Sequence, residues 1–349
     1  MTHMNQRLLI PAIVLCIHLA SSAQTTLTPL PSPVSNNAVA SLRTGRHELL
    51  FSFMGIGPKK TWDAITNEAY SLDLGSKQWT ALRPVPGPAG RIAASAVGVR
   101  GQVFLMGGVT VDGQGGEITV RDVSVYAPAT HHWFRGSDLP VPVSDAVVVA
   151  YRDRYIYVIG GRSGKDAIAN VQAYDVQNNH WEQATPLTGT PVFGHAGALL
   201  DDTIIYVDGA HKSAADTLGY VASDECWMGK INHKDVTKIQ WTKMIEHPGG
   251  ARYRIAAGAS EKDHRIYFSG GTDNPHNYNG IGYDGRPSEP AANTFDFDLK
   301  EGQWETVPED SSGTMDHRGL LAIHDGLVMI GGMEKGQQVT ARVQVVPRR

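Results

Sequence analysis

Six short runs of small apolar residues recur along this chain, and each begins at or beside a residue able to do chemistry: Asn37, Arg91, Asp145, His195, Arg254 and Arg318. Drawn round a common axis, three arginines and a histidine against one aspartate make an electropositive ring. Guanidinium forks of that kind hold a carboxylate, phosphate or sulfate through paired hydrogen bonds. The segments downstream add polar and aromatic groups. Trp62 offers a flat face for stacking a sugar, His211 stands beside Lys212, and Glu334 beside Lys335. The longest segment, 272–293, carries His276, Tyr278, Arg286 and Glu289; structured loops of that length are more often functional than not.

The repeats supply the elements that would position these groups. Val103-Phe-Leu-Met-Gly-Gly108 returns as Ile156-Tyr-Val-Ile-Gly-Gly161, Ile205-Tyr-Val-Asp-Gly-Ala210, Ile266-Tyr-Phe-Ser-Gly-Gly271 and Leu327-Val-Met-Ile-Gly-Gly332, with a degenerate first copy from Leu50 to Gly57. Upstream of each lies a small-residue strand such as Ile92-Ala-Ala-Ser-Ala-Val97 or Ile255-Ala-Ala-Gly-Ala259, suited to crowding on an axis. Downstream come a strand with an aromatic, a turn, and then Trp79, Trp133, Trp181, Trp241 or Trp304. Four strands per ~50-residue unit, with a diglycine closing the second and a tryptophan opening the fourth, resemble the kelch motif of β-propellers.

The expected fold is therefore all-β, a six-bladed kelch-type propeller occupying 24–349. Blades fall near 35–86, 87–140, 141–188, 189–248, 249–308 and 309–349. The last copy has no tryptophan strand, whereas Thr26-Leu-Thr-Pro-Leu-Pro31 is similar to the residues after the tryptophan elsewhere, such as Ala81-Leu-Arg-Pro-Val-Pro86. The N-terminal strand, 24–34, is thus expected to close the sixth blade and remove a free edge. In a four-stranded blade, the start of the inner strand and the loop after the second strand share one end, so the ring and the loops should face one funnel.

Composition narrows the function classes. The chain has 349 residues, 38 of them glycine, with 41% hydrophobic content and a net charge of −4. This excludes disorder and gives no reason to expect nucleic acid or an anionic membrane as partner. Arg7, the uncharged stretch Leu8 to Ala20 and Ser21-Ser22-Ala23 read as a secretory signal peptide over 1–23. The mature protein would be periplasmic or secreted and would have no integral membrane segment. Of the two cysteines only Cys226 would remain, which excludes an internal disulfide and disfavours a copper site built on a Cys–Tyr crosslink. Every diglycine ends a strand, so none is a phosphate cradle, and His131-His132 belongs to the opposite end of a blade. No metal and no cofactor are expected.

Six such blades also resemble the bacterial N-acetylneuraminate epimerase (sialic acid mutarotase) family. The residues that carry the resemblance are Gly90-Arg91, the tracts ending at Gly108 and Gly271, the Asn277-Tyr-Asn-Gly280 insertion and Ile330-Gly-Gly-Met-Glu334. The resemblance implies a small anionic sugar or glycan as partner, with a sialic acid carboxylate on the arginines, and interconversion of anomers by general acid–base catalysis. It also implies an acidic residue directly after the fourth blade's glycine and an arginine soon after it. This chain has Ala210-His211-Lys212 there, and no arginine before Asp216. His211, Glu334 and Glu289 are the candidates for the displaced catalytic role. A non-catalytic glycan- or protein-binding propeller is the alternative, and a lyase or hydrolase of acidic polysaccharide using Tyr278 and His276 a third.

Overall fold

The computed structural model describes residues 27–87, 89–213, 219–307, 313–324, 326–346 and 348. The expected signal peptide and Asp216 lie outside them. Among the described residues the secondary structure is strand, apart from two short 3-10 turns, and no helix is long and apolar enough to cross a membrane. Among the described residues five antiparallel sheets have four strands each and one has three, with four two-stranded sheets beside them. Blade three is typical, with Val147–Tyr151 innermost, then Tyr155–Ile159, Val171–Asp175 and His180–Ala184. The second strands are buried on both faces, as Thr203–Val207 is throughout. That is why they read as unbroken apolar runs rather than alternating ones.

The paired glycines join blade to blade. The N–H of one glycine per blade, the second of the pair in blades two, three, five and six and Gly209 after Asp208 in blade four, donates to a carbonyl just ahead of the next blade's inner strand: Gly108 to Val143, Gly161 to Val192, Gly209 to Arg252, Gly271 to Thr314 and Gly332 to Val34, at 2.9 to 3.0 Å. In the degenerate first copy Gly55 donates to Arg91 at 3.1 Å. Neighbouring backbones come too close for a side chain. A Cβ on Gly107 would lie 2.1 Å from the Val143 carbonyl oxygen, and its φ of +61° favours glycine as well.

The tryptophans tie the outer edges in the opposite direction. Trp133, Trp181, Trp241 and Trp304 each donate their indole N–H to a carbonyl of the preceding blade, those of Arg83, Ser137, Thr185 and Ile245. Trp79 donates to Thr28, so the N-terminal segment occupies in blade six the place those residues occupy elsewhere. The N–H groups of Leu27 and Leu30 donate to Val343 and Ala341, completing the three-stranded sheet. The closure expected from the sequence is formed, by residues 27–34.

Leu30 anchors that closure in a cluster with Val34, Leu50, Leu72, Ile330 and Val343. Leu30→Ala is expected to cost about 2–4 kcal/mol through lost burial and the cavity left behind. Urea unfolding should show a lower midpoint at an unchanged slope.

Candidate functional site

One backbone bridge per blade fixes where the axis begins. The residue ahead of each inner strand pairs with a residue just past the second strand's glycines: Ile92 with Val109, Ser144 with Arg162, Phe193 with Ala210, Tyr253 with Thr272 and Met315 with Met333, while Ser35 pairs with Ile56. Strand starts and loops therefore share one end. The next residue in each blade turns onto the axis with φ between +51° and +71°: Asn36, Ala93, Asp145, Gly194, Arg254 and Asp316. These six are linked in turn. The N–H of Asp145 donates to Ala93, that of Gly194 to Asp145, that of Arg254 to Gly194 and that of Asn36 to Asp316, while Ala93 donates to the Asn36 side chain at 2.7 Å.

The ring read from the sequence is corrected in register. Asp145 and Arg254 belong to it. Asn37 and His195 lie one residue further along, Arg318 two further along, and Arg91 two residues before. Asn37 is spent on Ser52, 2.8 Å away. Arg91 is buried in its own blade, with Nη1 on the Gly107 carbonyl at 2.9 Å. His195 lines an axial channel of about 270 Å³ together with Ala146, Ala198, Ala257 and His317. Burial holds its pKa down at about 4.

The charge at the axis is also corrected. Arg254 forms a fork on Asp145, Nε to Oδ1 at 2.9 Å and Nη2 to Oδ2 at 3.3 Å, and its Nη1 reaches Asp316 at 2.7 Å. Arg318 lies 2.8 Å from Asp145 and also donates to Asn36. Ser35 and Asn36 complete Asp316 at 2.6 and 3.1 Å. Two guanidinium groups and two carboxylates balance, so the ring is not electropositive. Burial alone would raise the Asp145 carboxyl, but Arg254, Arg318 and Arg162 outweigh it and hold it at about 2. Asp316 is lowered in the same way.

The fifth-blade loop lies across this end. Tyr278 packs on Ile56, Ile92 and Val109, which belong to the first and second blades. Tyr283 meets Tyr220 of the fourth at 4.7 Å between centroids. Glu289 accepts from the Gly336 N–H at 3.1 Å and from Gln337 Nε2 at 2.8 Å, clamping the loop to the sixth. Glu289 is thus a loop clasp. Glu334 faces Arg342 at 3.4 Å, and His211 Nδ1 lies 3.0 Å from the Lys212 carbonyl. Arg286 is exposed and paired with Asp284 inside the loop. Trp62 is 49% exposed on the rim, with Gly113 of the second blade against its ring.

Under the loop, Tyr253 and His276 are fully buried and meet edge to face at 5.4 Å. The Tyr253 hydroxyl and His276 Nε2 have no partner among the described residues, nor do the Nε atoms of Arg162 and Arg318. Arg162 is 11% exposed at its side chain, lies over Phe193 at 5.6 Å and pairs with Glu117. His276, Arg254, Arg318 and Asp145 are the sequence candidates that the fold gathers. Tyr253, Arg162, Asp316 and Asn36 were missed. The signals were present, since Arg162 directly follows the third blade's diglycine, and Asn, Asp and Gly are the residues that tolerate positive φ.

The sequence profile described as the KLHDC2/KLHL20/DRC7 Kelch-repeats domain matches residues 16–209 and again 57–271. The chain belongs to the kelch-repeat family. It is 24% identical over 297 residues to the N-acetylneuraminate epimerase of Salmonella arizonae, covering 73% of this kelch chain and 72% of that protein. It is 25% identical to Kelch-like protein 36 of Bos taurus over 51% of its own length, which is 28% of that longer protein. A solved structure described as "Structure of YjhT" superposes with a TM-score of 0.72 at 18% identity, covering 92% of this chain and 95% of that one. At that identity the likeness concerns the fold.

Off the axis, the kelch blades bury another titratable pair. His247 Nδ1 accepts the Gly249 N–H at 3.0 Å, so Nε2 carries the proton and donates to Asp208 at 2.9 Å. Burial raises the Asp208 carboxyl to about 6 despite that bond. A carboxyl raised on folding contributes stability below its unfolded pKa of 3.8 and loses it as pH rises through about 6. Asp208→Asn is therefore expected to gain on the parent across that window, read as a widening gap in melting temperature. Arg254→Met leaves two buried carboxylates under-compensated and is expected to cost about 3–5 kcal/mol in urea unfolding. Lost ligand binding in that variant would then report on folding.

Proposed function

We propose that this kelch propeller is a sugar-acid mutarotase, acting on a sialic acid or a close relative held at the axial mouth beneath the fifth-blade loop. The observation that carries the reading is the convergence there of buried polar groups without partners among the described residues: the Tyr253 hydroxyl, His276 Nε2 and the Nε atoms of Arg162 and Arg318. Buried donors and acceptors of this kind cost ~1–3 kcal/mol each, and a polar ligand removes that cost. The similarity to N-acetylneuraminate epimerase over 73% of the chain supports a sugar acid.

The balanced charge at the axis changes which residue should hold the carboxylate. Arg254 and Arg318 are committed to aspartates. Arg162 is the better candidate, because its partner Glu117 comes from a rim hairpin and is 36% exposed, so a ligand carboxylate can compete with it. Anomer interconversion needs only a proton donor and a proton acceptor, consistent with a site made of tyrosine, histidine and arginine. If residues 1–23 act as a signal peptide, the work is done in the periplasm or outside the cell.

The second reading is a binding propeller without catalysis. It is favoured by Ala210, fully buried where the epimerase family has an acidic residue, and by the similarity to Kelch-like proteins. The polysaccharide lyase reading loses its pair, because Tyr278 is committed to the apolar cluster with Ile56, Ile92 and Val109.

Nuclear magnetic resonance of N-acetylneuraminate freshly released as the α anomer tests the proposal. Equilibration should accelerate in proportion to added protein, and Arg162→Ala should weaken binding by about 10-fold or more, the worth of a hydrogen bond to a charged group. An unchanged equilibration rate with retained calorimetric binding would establish the second reading instead.

A further inference from the structure

We propose that Tyr253 and His276 are the proton-transfer pair of this site, with His276 Nε2 taking the anomeric hydroxyl proton and the Tyr253 hydroxyl protonating the ring oxygen. The inference rests on the mutarotase reading and assigns its chemistry to two residues.

Three observations lead to it. Both side chains are fully buried at the axial mouth, and each holds one polar atom that no other described residue satisfies. Their rings touch edge to face at 5.4 Å, so a donor and an acceptor stand side by side. Their protonation states are opposite in sense. His276 Nδ1 lies 2.8 Å from the Asn277 carbonyl, which can only accept, so the ring proton resides on Nδ1 and Nε2 keeps its lone pair. Burial lowers that ring's pKa to about 4 and raises the Tyr253 phenol, so a neutral base faces a neutral acid.

The step balances without any other reagent. His276 Nε2 accepts the anomeric hydroxyl proton, the bond between the anomeric carbon and the ring oxygen breaks, and its electron pair goes to that oxygen, which takes the Tyr253 proton. A carbonyl forms at the anomeric carbon. After rotation about the adjacent carbon–carbon bond, the new hydroxyl attacks the other carbonyl face, returning its proton to Tyr253, and the carbonyl oxygen recovers a proton from His276. The ionic network serves the charges that develop. The Arg254 guanidinium lies 4.8 Å above the Tyr253 ring, where it favours a phenolate, and the Asp316 carboxylate favours an imidazolium at His276. Free ions would still be costly in so dry a place, so the two transfers are concerted.

The fold supplies the pair from two elements. Tyr253 is bonded in both directions to Thr272 at the root of the fifth-blade loop, at 2.7 and 3.1 Å, whereas His276 rides on the loop itself.

The test measures anomer exchange of N-acetylneuraminate by nuclear magnetic resonance with the full chain, Tyr253→Phe, His276→Gln and the double variant. Each single variant should lose about 10²-fold in catalysed rate, the usual worth of one proton-transfer group. The double variant should fall no further, as for groups that act as a unit, and calorimetric affinity should fall by less than the catalysed rate. An active parent with either single variant within about 3-fold of its rate overturns the pair alone; a parent without activity overturns the mutarotase reading and the pair with it. Tyr253→Phe removes an oxygen that no described residue bonds and should not lower the parent's melting temperature. Nitrogen-15 resonances offer a second measurement in the unmutated protein: His276 Nε2 should be unprotonated and should shift on ligand addition, and a protonated or unresponsive Nε2 overturns the proposal.

Discussion

Each blade hands one backbone N–H, from a glycine at the end of its second strand, to a carbonyl of the next blade, and the rest of the molecule depends on that contact. It brings neighbouring sheets closer than side chains permit, so glycine is required on one side and a bare carbonyl on the other. The inner strands must then be small, and alanine and glycine line the channel. The residue ahead of each inner strand is pinned to the loop after the glycines, and the next one turns onto the axis with positive φ. Position at the mouth is thus inherited from a main-chain bond made two residues earlier in the chain.

Given that geometry, whatever charge the ring carries is forced into close company. Arg254 and Arg318 cannot reach bulk water and are satisfied by Asp145, Asp316 and Asn36. Pairing of this kind roughly offsets the desolvation of the ions rather than adding stability. It fixes side chains instead, and Tyr253 and His276 stand directly beside this fixed set. A neutral mouth with directional hydrogen-bonding groups selects by shape and polarity, where an open arginine funnel would attract any anion.

Much of the architecture was legible because the strands repeat. Tryptophans, glycine pairs and small-residue runs each have a structural duty that only those residues perform, and the N-terminal segment betrayed its place by Thr28 to Pro31. The axis was harder. Arg91, Asn37, His195 and Arg318 begin their runs as prominently as Asp145 and Arg254, yet only a backbone bridge distinguishes the residue that turns inward. Nothing in composition reveals that Asp316 would neutralise Arg254 from the neighbouring blade. The 272–293 insertion announced its length but not its direction, because Tyr278 finds its apolar partners on blades far away in sequence. Glu289 read as a catalytic acid for the same reason, its role as a clasp being set by Gly336 and Gln337.

The closure by residues 27–34 has a further consequence, for the order of assembly. Leu27 and Leu30 bond to residues at 343 and 341, and Asn36 to Asp316, so the contacts that finish the ring span almost the whole chain. Blades two to five are made of local hairpins and can form as the chain leaves the ribosome. The axis cannot, since one of its six members waits from the beginning of synthesis for a partner made near the end. Such long-range closure is the slow, late step expected of high contact order. A ligand pocket placed there exists only in a finished molecule, and a truncated product would have blades but no mouth.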